Sequence, residues 1–75
     1  MRACILVRTE PKEYKTILKR ISKLSGVSFA FPALGRTDIV AKAEVEDLKG
    51  LTELVLSIGK MSGVVATETL IGMEG

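Results

Sequence analysis

Two short stretches hold the groups best suited to chemistry: Gly35-Arg36-Thr37-Asp38 and Thr67-Glu68-Thr69. A glycine turn leaves backbone N–H groups free to bind a carboxylate. Asp38 is an acceptor suited to an ammonium group. Thr67 and Thr69 are two residues apart, so on a strand both hydroxyls point to one face. Gly35, Arg36, Thr37, Asp38, Thr67 and Thr69 together suit a zwitterion such as a free amino acid. The plainer reading is that Gly35 makes a hairpin turn and Asp38 steadies it.

Other chemistries find little support. There is no histidine, which removes the usual base and a Cys/His metal site. The single cysteine, Cys4, excludes an intrachain disulfide, and within a strand it is expected to be a small inert hydrophobe facing the helices. Glu44, Glu46 and Asp47 are clustered, but at a strand-to-helix junction, where capping and solvation account for them. No catalytic residue and no cofactor are identified. Lys12, Lys15, Lys19, Arg20 and Lys23 give the first helix a basic outer face, read as solvated. A net charge of +2 is too small to argue for nucleic acid. No apolar run is long enough to span a bilayer, and no cleavable signal opens the chain, so a cytoplasmic protein without a membrane partner is expected.

The elements that must position these residues come in two similar halves. "KLSGV" at 23–27 returns as "KMSGV" at 60–64. The upstream set Tyr14, Ile17, Leu18, Ile21 and Leu24 returns as Leu51, Leu54, Val55, Ile58 and Met61. "RACILVR" (2–8) reads as a strand. Thr9 and Glu10, with Pro11, read as the start of a helix over 11–24, whose apolar positions recur at helical spacing. Gly26 ends it. "VSFAFPA" is the second strand, and Pro32, lacking a donor, puts it at a sheet edge. After the 34–37 turn, "DIVAKAEV" alternates as a third strand. Asp47 caps a helix over 48–61, Gly63 ends it, and "VVATETLIGM" is the fourth strand. The order is βαββαβ. It predicts an α+β, ferredoxin-like fold: one domain over residues 1–75, a four-stranded antiparallel sheet of order 4-1-3-2, and two helices on one face.

Two helices cover only one face of such a sheet. Aligning the repeats places Cys4, Leu6, Val27, Phe29, Ile39, Ala41, Ala43, Val45, Val64 and Ala66 toward the helices. The opposite face then carries Ala3, Ile5 and Val7; Val40, Lys42 and Glu44; Ser28, Ala30, Pro32 and Leu34; and Val65, Thr67, Thr69 and Ile71. Most of these are apolar or small, and soluble monomers rarely expose so large a patch. A core of this size rarely supplies more than about 3–5 kcal/mol alone. Both points predict a homodimer packed sheet to sheet at about 10 Å as an α/β barrel, with Ala3, Ile5, Val7, Val40, Val65 and Ile71 at its interface. The 34–37 turn leaves from the strand 2 and 3 side, whereas strand 4 is the other edge. With strands about 4.8 Å apart, the turn and Thr67 are expected roughly 10–15 Å apart. A ligand touching both would then need a site built between chains.

These residues resemble a known family. "SGVSFAFPALGRTDIVAKAEVED" followed by "MSGVVATETLIGM" is similar to the effector domain of leucine-responsive/asparagine regulators, the Lrp/AsnC family. The likeness runs from "ILVRTEPKEY" to "TETLI", and the G-x-x-D turn and T-x-T are its most specific pieces. The resemblance implies a dimeric α/β barrel that assembles further, as a tetramer of dimers, with amino-acid effectors bound between dimers near the turn. Family regulators carry an N-terminal helix-turn-helix domain. Here the first strand opens the sequence, so a stand-alone effector domain without direct nucleic-acid binding is expected. Arg36 stands where an acidic or small residue is common and Thr37 where an aromatic is common, which leaves the ligand open.

The leading expectation is a non-catalytic amino-acid-binding and oligomerisation module. It would modulate transcription by ligand-linked assembly with itself or with a full-length family regulator. The alternatives are a small dimeric α/β-barrel enzyme, of monooxygenase or isomerase type, and a purely structural assembly module.

Overall fold

The periodic stripes form helices and the runs between them form strands. The computed structural model describes residues 1–73. Along the chain come β1 (Arg2–Thr9), α1 (Tyr14–Ser22), β2 (Val27–Pro32), β3 (Ile39–Glu44), α2 (Leu48–Gly59) and β4 (Val64–Ile71). The sheet order is β2-β3-β1-β4, with antiparallel neighbours throughout. This is the ferredoxin-like plan, and Pro32 does lie on an edge strand.

The helix starts differ from each other for local reasons. At α2, Asp47 is extended (φ −154°) and its Oδ1 accepts the Gly50 N–H at 2.9 Å. This satisfies one of the donors that a helix N-terminus leaves open. Asp47→Ala removes that bond, and the midpoint of thermal unfolding should fall by about 4–8 °C, followed by circular dichroism. At α1, the expected cap is absent. The Glu10 N–H donates instead to the Gly63 carbonyl at 2.8 Å. Pro11 and Lys12 form a turn closed by Glu13 N–H to the Glu10 carbonyl at 3.1 Å, with Lys12 at φ 73°. A type II turn needs a positive φ at its third residue. The helix therefore begins only at Tyr14, and Glu13 makes no side-chain cap bond.

The core is one layer between helices and sheet. Ile17 and Ile21 of α1 and Leu51, Leu54 and Ile58 of α2 pack on the two central strands. Those strands contribute Ala3, Ile5 and Val7 from β1 and Ile39, Ala41 and Ala43 from β3. This corrects the phase expected for β1. Ile5 and Val7 are both 0% exposed beneath the helices, so Ala3, Ile5 and Val7 lie in the core of the single chain and not on its helix-free face. Cys4 and Leu6 take the opposite face and are half-buried.

The edge strands differ from expectation as well. In β2, Val27 pairs with Ala43 but Phe29 pairs with Lys42, so Ser28 is an extra, bulged residue. In β4, Val64 pairs with Thr9 but Ala66 pairs with Arg8, so Val65 is bulged in the same way. Each bulge exchanges the faces of the residues that follow it. Ala30 and Pro32 turn toward the helix side, and Phe29 and Phe31 away from it. Thr67, Thr69 and Ile71 pair with Val7, Ile5 and Ala3, so they too are on the helix side. Of the six residues expected at an interface, only Val40 stands squarely on the helix-free face.

That face nonetheless has an apolar middle. It carries Cys4 and Leu6 at its centre, flanked by Val40, Phe29, Phe31, Ala66 and Leu70, with the charged Arg2, Arg8, Lys42, Glu44 and Glu68 around them. Phe29 is 52% exposed and Phe31 42%, with ring centroids 6.0 Å apart. The Lys42 ammonium lies 5.4 Å over the Phe29 ring, a cation–π contact that softens its presence there.

Candidate functional site

The β2–β3 turn does not stand away from the sheet. Ala33 N–H donates to the Asp38 carbonyl at 2.9 Å and closes it. Asp38 N–H then donates to the Val7 carbonyl, also at 2.9 Å. The Asp38 carboxylate reaches β1 too: Oδ2 accepts the Thr9 N–H at 2.7 Å and lies 3.5 Å from the Thr9 hydroxyl. Because β3 lies between β2 and β1, these bonds pull the turn across the end of β3. Gly35 takes φ +130°, where only glycine is at ease, and a Cβ there would meet no atom within 4 Å. Its role is conformational and not one of close fit.

The lean of the turn creates a cleft of about 550 Å³. Gly35, Arg36, Thr37 and Asp38 form one wall, Ala66, Thr67 and Glu68 of β4 the other, with Leu6, Arg8 and Thr9 of β1 between them. The expected gap between turn and β4 is thus corrected. A single chain brings Gly35, Arg36, Thr37 and Asp38 around one space that Thr67 also borders, although its pairing with Val7 puts the Thr67 side chain on the helix side. The expectation from strand spacing failed because it let the turn rise straight from its own strands. Thr69 is not part of the cleft; it lines a separate apolar groove with Leu48, Leu56 and Ile71 beside α2.

Arg8 and Glu68 line the cleft without having been singled out. Arg8 pairs with Ala66 and Leu6 with Glu68, so Arg8 and Glu68 are diagonal neighbours on one face, roughly 7–8 Å apart at the backbone. Their signal was a charged residue at the end of an apolar strand and another between two threonines. Without the phase of either strand, the two charges could not be put on one side.

Arg8 and Arg36 contribute cations, Glu68 an exposed carboxylate, and the turn its N–H groups. Asp38 is already engaged as a clasp, so its first role is to hold the turn. Asp38→Ala should cost about 1–3 kcal/mol, by leaving the Thr9 N–H unpaired. Asp38→Asn, which keeps a carbonyl acceptor, should recover most of it. Urea midpoints measure both, and an unchanged midpoint in the alanine variant removes the clasp. No three His, Cys, Asp or Glu side chains among the described residues converge to hold a metal ion. No helix among them is long and apolar enough to cross a membrane.

The profile of the Lrp/AsnC ligand binding domain matches residues 2–75, and the chain belongs to that family. No curated protein matches it in sequence. Its structure is similar to that of a protein from Thermus thermophilus, with a TM-score of 0.94 and 27% identity over 99% of this chain and 94% of that one. AsnC of E. coli superposes with a TM-score of 0.89 at 22% identity, over 99% of this chain and 51% of AsnC. A Neisseria meningitidis transcriptional regulator in complex with L-Met gives 0.84 at 21% identity, over 97% of this chain and 49% of the regulator. At those identities the last two show the shared fold, and this chain spans about half the length of each.

Proposed function

We propose that this domain binds a free amino acid in the cleft between the 35–38 turn and β4, and self-associates through the helix-free face of its sheet. It acts as a non-catalytic regulatory module. Ligand-linked assembly, with itself or with a full-length family regulator, would adjust transcription. The observation that carries this reading is the convergence of the turn, Arg8 and Glu68 on one cleft that opens on the apolar face. Leu6, Arg8, Ala66 and Glu68 belong to both the cleft and that face, so a second copy packed there would roof the bound ligand. A ligand stabilises whichever assembly completes its site. The Neisseria regulator seen with L-Met supports an amino acid as the ligand class.

Titration calorimetry against the proteinogenic amino acids at millimolar concentration tests this, paired with sedimentation of the free and loaded protein. At least one should give heat and shift the assembly. Heat with none of them leaves the second reading, a purely structural assembly module. That reading has its own support in the Asp38 clasp, which gives the turn a mechanical purpose without any ligand.

A further inference from the structure

We infer that the cleft selects an acidic amino acid, with Arg36 as the residue that reads the ligand's side-chain carboxylate. This rests on the proposed reading of the cleft as an amino-acid site and goes beyond it by naming the ligand class.

The α-carbon of any amino acid carries an ammonium and a carboxylate on adjacent atoms. Its receptor needs an anion and a cation side by side. Arg8 and Glu68 meet that need: they are diagonal neighbours on one sheet face, on strands whose pairing fixes their separation. Arg36 is on the facing wall, carried by the turn. A ligand seated on Arg8 and Glu68 therefore extends its side chain toward Arg36. The guanidinium is planar and forked, matching a carboxylate with two parallel bonds. The rest of the lining offers little to an apolar side chain: among the described residues only Leu6 and Ala66 are aliphatic there. A free phosphate suits the cleft less well. It would bring a second negative charge toward Glu68 and Asp38, whereas an amino acid offers Glu68 an ammonium.

The turn that carries Arg36 is closed by Ala33 N–H to the Asp38 carbonyl and pinned to β1 at its Asp38 end, through the Asp38 N–H to the Val7 carbonyl and its carboxylate to Thr9. Arg36 itself is exposed and makes no hydrogen bond among the described residues, so replacing it should leave the scaffold intact.

Calorimetry with L-glutamate, L-aspartate, L-leucine, L-methionine and glutarate tests the assignment, on the unaltered chain and on Arg36→Gln and Glu68→Gln. L-Glutamate or L-aspartate should bind at least about tenfold tighter than L-leucine. Arg36→Gln should bring the acidic ligand to within about threefold of L-leucine and leave L-leucine itself within about threefold of its original affinity. Glu68→Gln should weaken L-glutamate by at least about tenfold and spare glutarate, which has no ammonium. L-Leucine or L-methionine binding as tightly as L-glutamate overturns the acidic class while keeping the amino-acid site. An acidic preference that survives Arg36→Gln overturns the role of Arg36. No heat from any amino acid removes the proposed site and this inference together.

Discussion

Ile5→Ala should lower the stability of the domain by about 2–5 kcal/mol and leave much of it unfolded at room temperature. Ile5 is 0% exposed. It is paired across the sheet with Ala41 and Thr69 and lies in one buried cluster with Ile17, Ile21, Leu51, Leu54 and Ile58 of the helices. Truncation removes apolar burial and leaves a hole that the two small neighbours cannot fill. A core of this size has little stability to lose. Far-UV circular dichroism and urea titration at several protein concentrations measure the effect. If the variant stays folded and only loses self-association, Ile5 belongs to an interface and the assignment of faces is wrong.

Phe31→Asp should do the reverse, leaving the fold and breaking the assembly. Phe31 is 42% exposed, on an edge strand, and stacked on Phe29 rather than packed into the core. A carboxylate placed there must be desolvated when a second sheet closes over it. The dissociation constant of the dimer should rise by about a hundredfold or more. Sedimentation at micromolar concentration should find the variant at the 8.1 kDa of one chain and the unaltered protein at twice that. An unaltered protein already sedimenting as a single chain ends the dimer reading outright.

The contrast between these two residues shows how far the sequence could be read. Element order, sheet order and the edge position of Pro32 were all legible, because helical spacing and the recurrent Ser-Gly-Val punctuate the chain. The phase of β1 was not. Ala3 to Val7 are all apolar, and a strand apolar on both faces gives no sign of which face is which. The repeat offers a phase, since the helices superpose at the offset that carries Ile17 to Leu54. That offset is odd, and an odd offset between strands exchanges their faces. The structure shows Ile5 and Ala41 on one side, an even offset, so the halves differ in length between strand and helix. In β2 and β4 strict alternation runs straight through Ser28 and Val65, whereas each bulge reverses everything beyond it.

For the cleft, the turn residues and Thr67 were legible as chemistry. The partners Arg8 and Glu68 were hidden behind the same question of phase. In the sequence Asp38 is a free acceptor for a ligand, because nothing there shows that Thr9 already occupies it. A hydrogen bond between residues so far apart in the chain becomes visible only once β1 and the turn are placed.

The paired bulges have a consequence for solubility. A short greasy sheet with two open borders is a template for runaway strand addition and fibre growth. Here each border strand begins with an irregular step, Ser28 at one corner and Val65 at the diagonally opposite one, and Pro32 interrupts the donors of β2. These irregular steps disfavour strand addition at the rims, which leaves the flat of the sheet as the surface for the proposed self-association and favours a closed particle over a filament.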